Sequence, residues 1–224
     1  MPHKPAAVIA AMRVELAPLI GRIRPTRVGG VALYELPNAV VAIGGIGEKF
    51  AHRAAEVAVE YAHPKQLISA GIAGAISPKL KVGDVGHIRQ VIHAASATSY
   101  WCAGGEWTLA TSQHVTDAAI KQELLARYAA DVVDMEAAAV AQVADARGLK
   151  FAALKAVSDE AAFVMPPLDR FIDENGRFAT GSFLMYVAVR PRWWSSLGTL
   201  KRNNHLAAAN LCRELEHLLE SSCQ

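Results

Sequence analysis

Short, continuously apolar runs alternate along this chain with longer segments whose apolar residues recur at helical spacing. Ala6 to Met12 (AAVIAAM) is apolar throughout and Glu15 to Ile20 is helix-like, which predicts a buried strand leading through a loop into a helix. Val31 to Leu36 alternates and Ala39 to Ile43 is continuous, so two strands should turn at Pro37 and Asn38 and run into Gly44-Gly45-Ile46-Gly47. From Glu48 to Tyr61 the apolar residues Phe50, Ala54, Ala55, Val57, Ala58 and Tyr61 share one helix face, with Lys49, His52, Arg53, Glu56 and Glu60 on the wet side.

Gln66 to Ala70 reads as another strand, ending in a second glycine-rich turn, Gly71 to Ile76 (GIAGAI). A strand follows through Ile92, and the segment His93 to Trp107, which has no period, reads as a surface loop beside a cleft. Trp107 to Val115 is an expected strand, and Thr116 or Asp117 should cap a helix through Tyr128. Asp131 to Gly148 (DVVDMEAAAVAQVADARG) sets two acids and a methionine at the mouth of a nearly all-alanine helix. With Asp134 as N-cap, Met135 and Glu136 would fall in the first turn, where free N–H groups and the helix dipole keep a carboxylate ionised. Lys150 to Val157 is an apolar strand broken by one lysine, with Ser158, Asp159 and Glu160 just past its end.

Alternating strands and helices, with strands apolar on both faces, imply an α/β fold: a three-layer α/β/α sandwich around a mixed, mostly parallel sheet. Ligands in such sheets bind beyond the carboxyl ends of the strands. Met12 with Glu15, the glycines at 44–47, those at 71–74, and Asp159 all follow strands, so one cleft should collect them.

The last quarter differs. Pro166, Pro167 and 173–176 mark loops, Phe178 to Val189 is apolar, and Asn204 to Leu219 reads as a closing helix. Between them, the segment at about 190–202 sets Trp193 and Trp194 among basic residues. That composition fits an interfacial, membrane-surface element and fits equally a core-packing or dimer-contact turn.

Length and composition narrow the classes. A chain of 224 residues, 52% apolar and 20% charged, suits one globular domain spanning 1–224. No apolar run approaches the roughly 18 residues of a membrane span, and the N-terminal segment lacks a signal-peptide shape, so a cytoplasmic protein is expected. Three cysteines without CxxC spacing argue against a disulfide framework or zinc, and the eight histidines lack metal-site spacing. A net charge of +2 gives no general attraction to nucleic acid.

Taken singly, the polar residues have ordinary explanations. Either glycine turn could be tight geometry or an anion cradle, Asp159 a cap or a general acid, and Glu15 a solvated first-turn acid or a catalytic one. The combination is more specific. Met12-Arg13-Val14-Glu15, Gly71-Ile72-Ala73-Gly74-Ala75-Ile76 followed by Leu80 to Asp84, Val133-Asp134-Met135-Glu136-Ala137, and Val157-Ser158-Asp159-Glu160-Ala161 occur in this order and spacing. Over about residues 6 to 165 the chain resembles the nucleoside phosphorylase and nucleosidase family, particularly its methylthioadenosine/S-adenosylhomocysteine nucleosidase branch.

The resemblance implies cleavage of the N-glycosidic bond of a purine nucleoside, with water or phosphate as acceptor, in a homodimer that uses no metal or organic cofactor. Carried over, Asp159 and Glu15 are the catalytic residues: Asp159 protonates or hydrogen-bonds the purine N7, and Glu15 activates or orients the water. Glu136 binds the ribose hydroxyls, Met135 packs on the sugar, and Gly74 offers backbone near the base. Gly71, Met12, Ser158 and Val115 complete the implied substrate-binding set. To hold a proton at neutral pH, an aspartate with an ordinary pKa of about 3.9 must be desolvated or near other acids.

Two departures stand out. Ile72 occupies a position where relatives carry serine or threonine, which puts a conventional phosphate site in doubt unless Arg13 or glycine N–H groups substitute. The stretch from His87 to Ser112 is shorter than in the usual nucleosidases, which suggests an open mouth. Together with 165–181 and 190–194, that shortening resembles the hopanoid-associated phosphorylases, which are linked to removal of adenine from adenosylhopane. Open alternatives are a methylthioadenosine/S-adenosylhomocysteine or futalosine-type nucleosidase and a nucleoside-binding protein without turnover.

Overall fold

A computed structural model of the chain describes residues 4–102, 104–163, 168–188 and 194–221. Within these residues ten strands form one sheet: β1 (Ala6–Ala10), β2 (Thr26–Val28), β3 (Val31–Glu35), β4 (Ala39–Ile43), β5 (Gln66–Ala75), β6 (Val85–His93), β7 (Thr98–Trp101), β8 (Trp107–Thr111), β9 (Val132–Asp134) and β10 (Lys150–Asp159). Among the described residues six α-helices accompany them: α1 (Ala17–Ile20), α2 (Glu48–Ala62), α3 (Ala118–Tyr128), α4 (Ala137–Ala146), α5 (Thr180–Ala188) and α6 (Trp194–Ser221).

The two-residue period of β1 builds the layers. Ala7 and Ile9 join the apolar cluster of α2 and α4, whereas Ala6, Val8 and Ala10 join the cluster that holds Leu211 and Leu215 of α6. The sandwich with a mixed sheet is therefore observed, and β1, β4, β5 and β10 pair in parallel at its centre. The sheet also closes on itself. β10 bonds β5 along one edge and β6 along the other, and β6, β8, β9 and β5 complete a ring of five strands.

Several local expectations change. Gly71 to Ala75 is strand rather than turn, because β5 is clasped by β10 on one side and by β9 on the other. Ser158 and Asp159 likewise remain in β10. The segment from 93 to 107 contains β7, antiparallel to β6, and among the described residues contributes nothing to the cavity described below. The exposed strand β2 pairs with β3, and its three residues were too short a run to show a period. Asp117 caps α3 as expected, its Oδ1 accepting from Ile120 N at 2.9 Å.

Pro166, Pro167, Arg190, Arg192 and Trp193 lie outside the described residues. No helix among the described residues is long and apolar enough to cross a membrane. Cys102 and Cys212 are free, and burial pushes their thiols up to about 12 and about 11.

Candidate active site

A cavity of about 710 Å3 opens at the carboxyl ends of β1, β5 and β10. Met12, Glu15, Gly74, Val115, Met135, Glu136, Ser158 and Asp159 all line it, so the fold brings together eight of the nine residues singled out in the sequence. The ninth, Gly71, lies behind Glu15. A Cβ there would stand 3.0 Å from Glu15 Oε1, so glycine is what allows the acid to pack against the strand.

The floor is a buried polar network. Glu15, 4% exposed, sits in a 3-10 turn after β1; its Oε2 accepts from Met12 N at 2.7 Å and its Oε1 from Ile72 N at 3.1 Å. Burial raises its pKa, against the lowering effect of those N–H groups and of Lys155. Glu136 Oε1 accepts from Gly47 N at 2.8 Å and Oε2 from Met135 N at 3.2 Å. Lys155 Nζ reaches Asp134 Oδ2 at 2.8 Å and Ser69 Oγ at 3.1 Å. Asp134 Oδ1 accepts from Thr111 Oγ1 at 2.8 Å and Oδ2 from Ala137 N at 3.0 Å.

This network corrects the expectation for Glu136. Asp134 ends β9, and although it accepts from the first N–H of α4, Glu136 takes the N-cap position and turns its carboxyl back into the cavity. There desolvation, then the Asp134 carboxylate, push its pKa up to about 8; Lys155 opposes them and Glu15 adds to them. Burial alone would lower Lys155, but Asp134, Glu136 and Glu15 together raise it.

At the opposite end, a β-bulge shapes the site. Val157 stands opposite Ala73 and Asp159 opposite Gly74, so Ser158 is the extra residue and Asp159 is re-aimed over the glycine. Ser158 Oγ donates to Asp159 Oδ1 at 2.8 Å. Asp159 is buried as expected, but its charged neighbour is a cation, not an acid: Lys121 Nζ lies 2.6 Å from Oδ2.

The expected substitutes for a phosphate site are otherwise engaged. Gly44 N, Gly45 N and Ile46 N donate to the carbonyls of Ala10, Ala11 and Gly176, and Gly47 N to Glu136. Arg13 is exposed and donates to Gly21 O at 3.2 Å. Ile72 faces the cavity with an apolar side chain.

The outer lining includes apolar Val14, Ile46, Ile172, Phe178 and Phe183, together with Leu200, Lys201, Asn204 and His205 of α6. Phe178 and Phe183 meet edge to face at 5.3 Å, and Phe183 meets Phe171 at the same distance.

Sequence reasoning did not select Asp134, Lys155, Lys121 or this wall. Lys155 carried a signal, since a lysine inside a continuously apolar strand is buried only with partners. Lys121 carried none, because apolar and polar residues of α3 are mixed around the helix without a clear face.

A closed strand ring with acids and a bulged aspartate at its carboxyl end defines a class, and the sequence match agrees: the chain belongs to the phosphorylase superfamily, matched over residues 5–106 and 102–181. It is accordingly an enzyme of the nucleosidase and phosphorylase type. Among solved structures, the Neisseria meningitidis 5′-methylthioadenosine/S-adenosylhomocysteine nucleosidase, in complex with methylthio-immucillin-A, is similar with a TM-score of 0.71 at 20% identity, over 96% of this chain and 98% of that one. The Helicobacter pylori nucleosidase of the same kind gives 0.69 at 19% identity, over 97% and 100%. Futalosine hydrolase of Helicobacter pylori gives 0.68 at 19% identity, over 96% and 98%. At these identities the likeness is one of fold.

Proposed function

We propose that this protein hydrolyses the N-glycosidic bond of a purine nucleoside bearing a bulky, apolar 5′ substituent of the adenosylhopane type, releasing adenine. The observation that carries the reading is one cavity with acids at its floor, Asp159 at a strand end, and an apolar outer wall. Its volume of about 710 Å3 falls in the upper part of the range of about 300–1,000 Å3 for small-molecule sites, which leaves room beyond a nucleoside.

In this reading Glu136 accepts hydrogen bonds from the ribose hydroxyls, Met135 and Met12 pack against the sugar, and Glu15 holds the attacking water. Asp159 with Ser158, the backbone at Gly74, and Val115 address the base. As the bond to the base stretches, ribose becomes oxocarbenium-like, and an ionised carboxylate beside it stabilises that cation more than the neutral ground state. Water is the acceptor, because the N–H groups of the glycine turn are already spent and Arg13 turns outward. The roles require no metal or organic cofactor. Ile172, Phe178 and Phe183 receive the 5′ arm.

Incubation with adenosylhopane, methylthioadenosine, futalosine and inosine, with and without phosphate, tests the reading through the free base released. Adenine should appear fastest from the substrate with the bulky arm, at a rate indifferent to phosphate. Release of no base from any of the four overturns it, and a preference for methylthioadenosine or futalosine replaces the 5′ assignment.

A further inference from the structure

An ammonium buried in a cavity wall is costly unless it is paired. Lys121, 4% exposed, meets that demand with Asp159 Oδ2 at 2.6 Å and, at the longer distance of 3.4 Å, the carbonyl of Glu160. Asp159 Oδ1 is meanwhile occupied by the Ser158 hydroxyl. Both oxygens of the carboxylate therefore already accept hydrogen bonds. An ammonium has three N–H donors and no acceptor, so Lys121 still has hydrogen to give toward the cavity it lines.

The backbone places the pair where a flat base would lie. A Cβ on Gly74 would stand 3.0 Å from Asp159 Oδ2 and 3.3 Å from Lys121 Nζ, so the two charged groups pack directly over glycine backbone. On the helix side, Asp117 caps α3 and Lys121 N donates to Asp117 O at 3.0 Å, which fixes the turn that carries the lysine.

We infer that Lys121 is the group that hands hydrogen to the departing purine, and that Asp159 holds the ammonium in place. The inference rests on the nucleosidase reading above and deepens it. The bond between C1′ and N9 breaks with its electron pair passing to the base, and N7 takes a proton from Lys121 Nζ, leaving a neutral amine beside the carboxylate. The water oxygen bonds to C1′ and the proton it sheds passes to Glu15. Exchange with solvent after release of the base returns a proton to Lys121 and removes one from Glu15.

The same pair distinguishes bases. Adenine presents an acceptor at N7 beside an amino donor, which matches an ammonium beside a carboxylate. A 6-oxopurine presents two acceptors there, and its oxygen would face the Asp159 carboxylate.

Kinetics of the wild type, Lys121→Met and Lys121→Gln on two substrates with the same 5′ group test the inference: the adenine nucleoside, and the p-nitrophenyl riboside, whose leaving group needs no proton. Both variants should lose roughly 100-fold or more in kcat on the nucleoside and less than about threefold on the p-nitrophenyl riboside, the size expected for removing a general acid. Lys121→Gln keeps a hydrogen bond to Asp159 and carries the test if Lys121→Met does not fold. Equal losses on both substrates show a purely structural lysine and overturn the inference, as does an unchanged rate on the nucleoside. A wild type that cleaves neither substrate overturns the nucleosidase reading itself, a result distinct from either of those.

Discussion

At the floor of the cavity three carboxylates, Glu15, Asp134 and Glu136, surround one ammonium, Lys155; at the opposite end one carboxylate, Asp159, faces one ammonium, Lys121. Like charges crowded in a dry site cannot all stay ionised, so the floor is disposed to hold a proton. Glu136 is where that proton is displaced to, with its pKa pushed up to about 8. Neighbouring charges, as well as burial, therefore set where a proton is stored at the floor. Both ends are buried, and the ratio of carboxylates to ammonium groups separates them.

The largest expected effect is at the matched end. Asp159→Asn leaves Lys121 without its counter-charge and the base without its carboxylate, and kcat should fall by roughly 100- to 10,000-fold in a steady-state assay of base release. A fall below tenfold would break the assignment of this end to the base.

Next comes the crowded end. Lys155→Met removes the ammonium that Asp134 and its neighbours depend on, and losing one partner of a buried pair typically costs about 3–5 kcal/mol. Urea unfolding should read that loss, and Asp134→Asn in the same background should recover part of it by removing the stranded charge.

The proton on Glu136 then sharpens the comparison through pH. If ionised Glu136 is the form that binds ribose, kcat/KM should rise about tenfold per pH unit and level off near pH 8. Stability should run the other way. Glu136 binds its proton more tightly folded than unfolded, so its contribution is fully present below its ordinary value of 4.5 and is lost as the pH rises through about 8. Thermal melts of Glu136→Gln should be flatter across that window, and a wild-type melt that does not fall there would contradict the stored proton.

The smallest effect lies outside both ends. Phe178→Ala should raise KM for a substrate with a bulky apolar arm by about tenfold, equivalent to about 1.4 kcal/mol of lost apolar contact, and leave methylthioadenosine within about twofold. Equal effects on the two substrates would move the arm elsewhere.

Much of this was legible in the sequence where a residue type and a period agreed. The continuous runs gave β1, β4 and β10 their places, and Glu15 and Asp159 meet in one cavity as their positions after strands implied, where Glu136, read as a helix-start residue, joins them. The failures have physical causes. Gly71 to Ala75 looked like a turn because glycine has poor strand propensity, yet neighbouring strands on both sides hold it extended. Glu136 looked charged because a helix start was considered without the three-dimensional crowd of acids around it. Lys121 was invisible because its partner lies 38 positions away in the chain, and no local pattern encodes that pairing.

The closed ring of strands has a mechanical consequence. β5 carries Gly71 beside Glu15 and Gly74 beneath Asp159, and it is itself bonded to β1, β9 and β10. Sliding any one of the ring strands by a residue would tear bonds around the whole circuit, so the spacing between the two ends of the cavity behaves as a fixed gauge. On the proposed reading, substrates would be sorted by whether sugar and base together span that gauge, while length added at the 5′ side would go unmeasured.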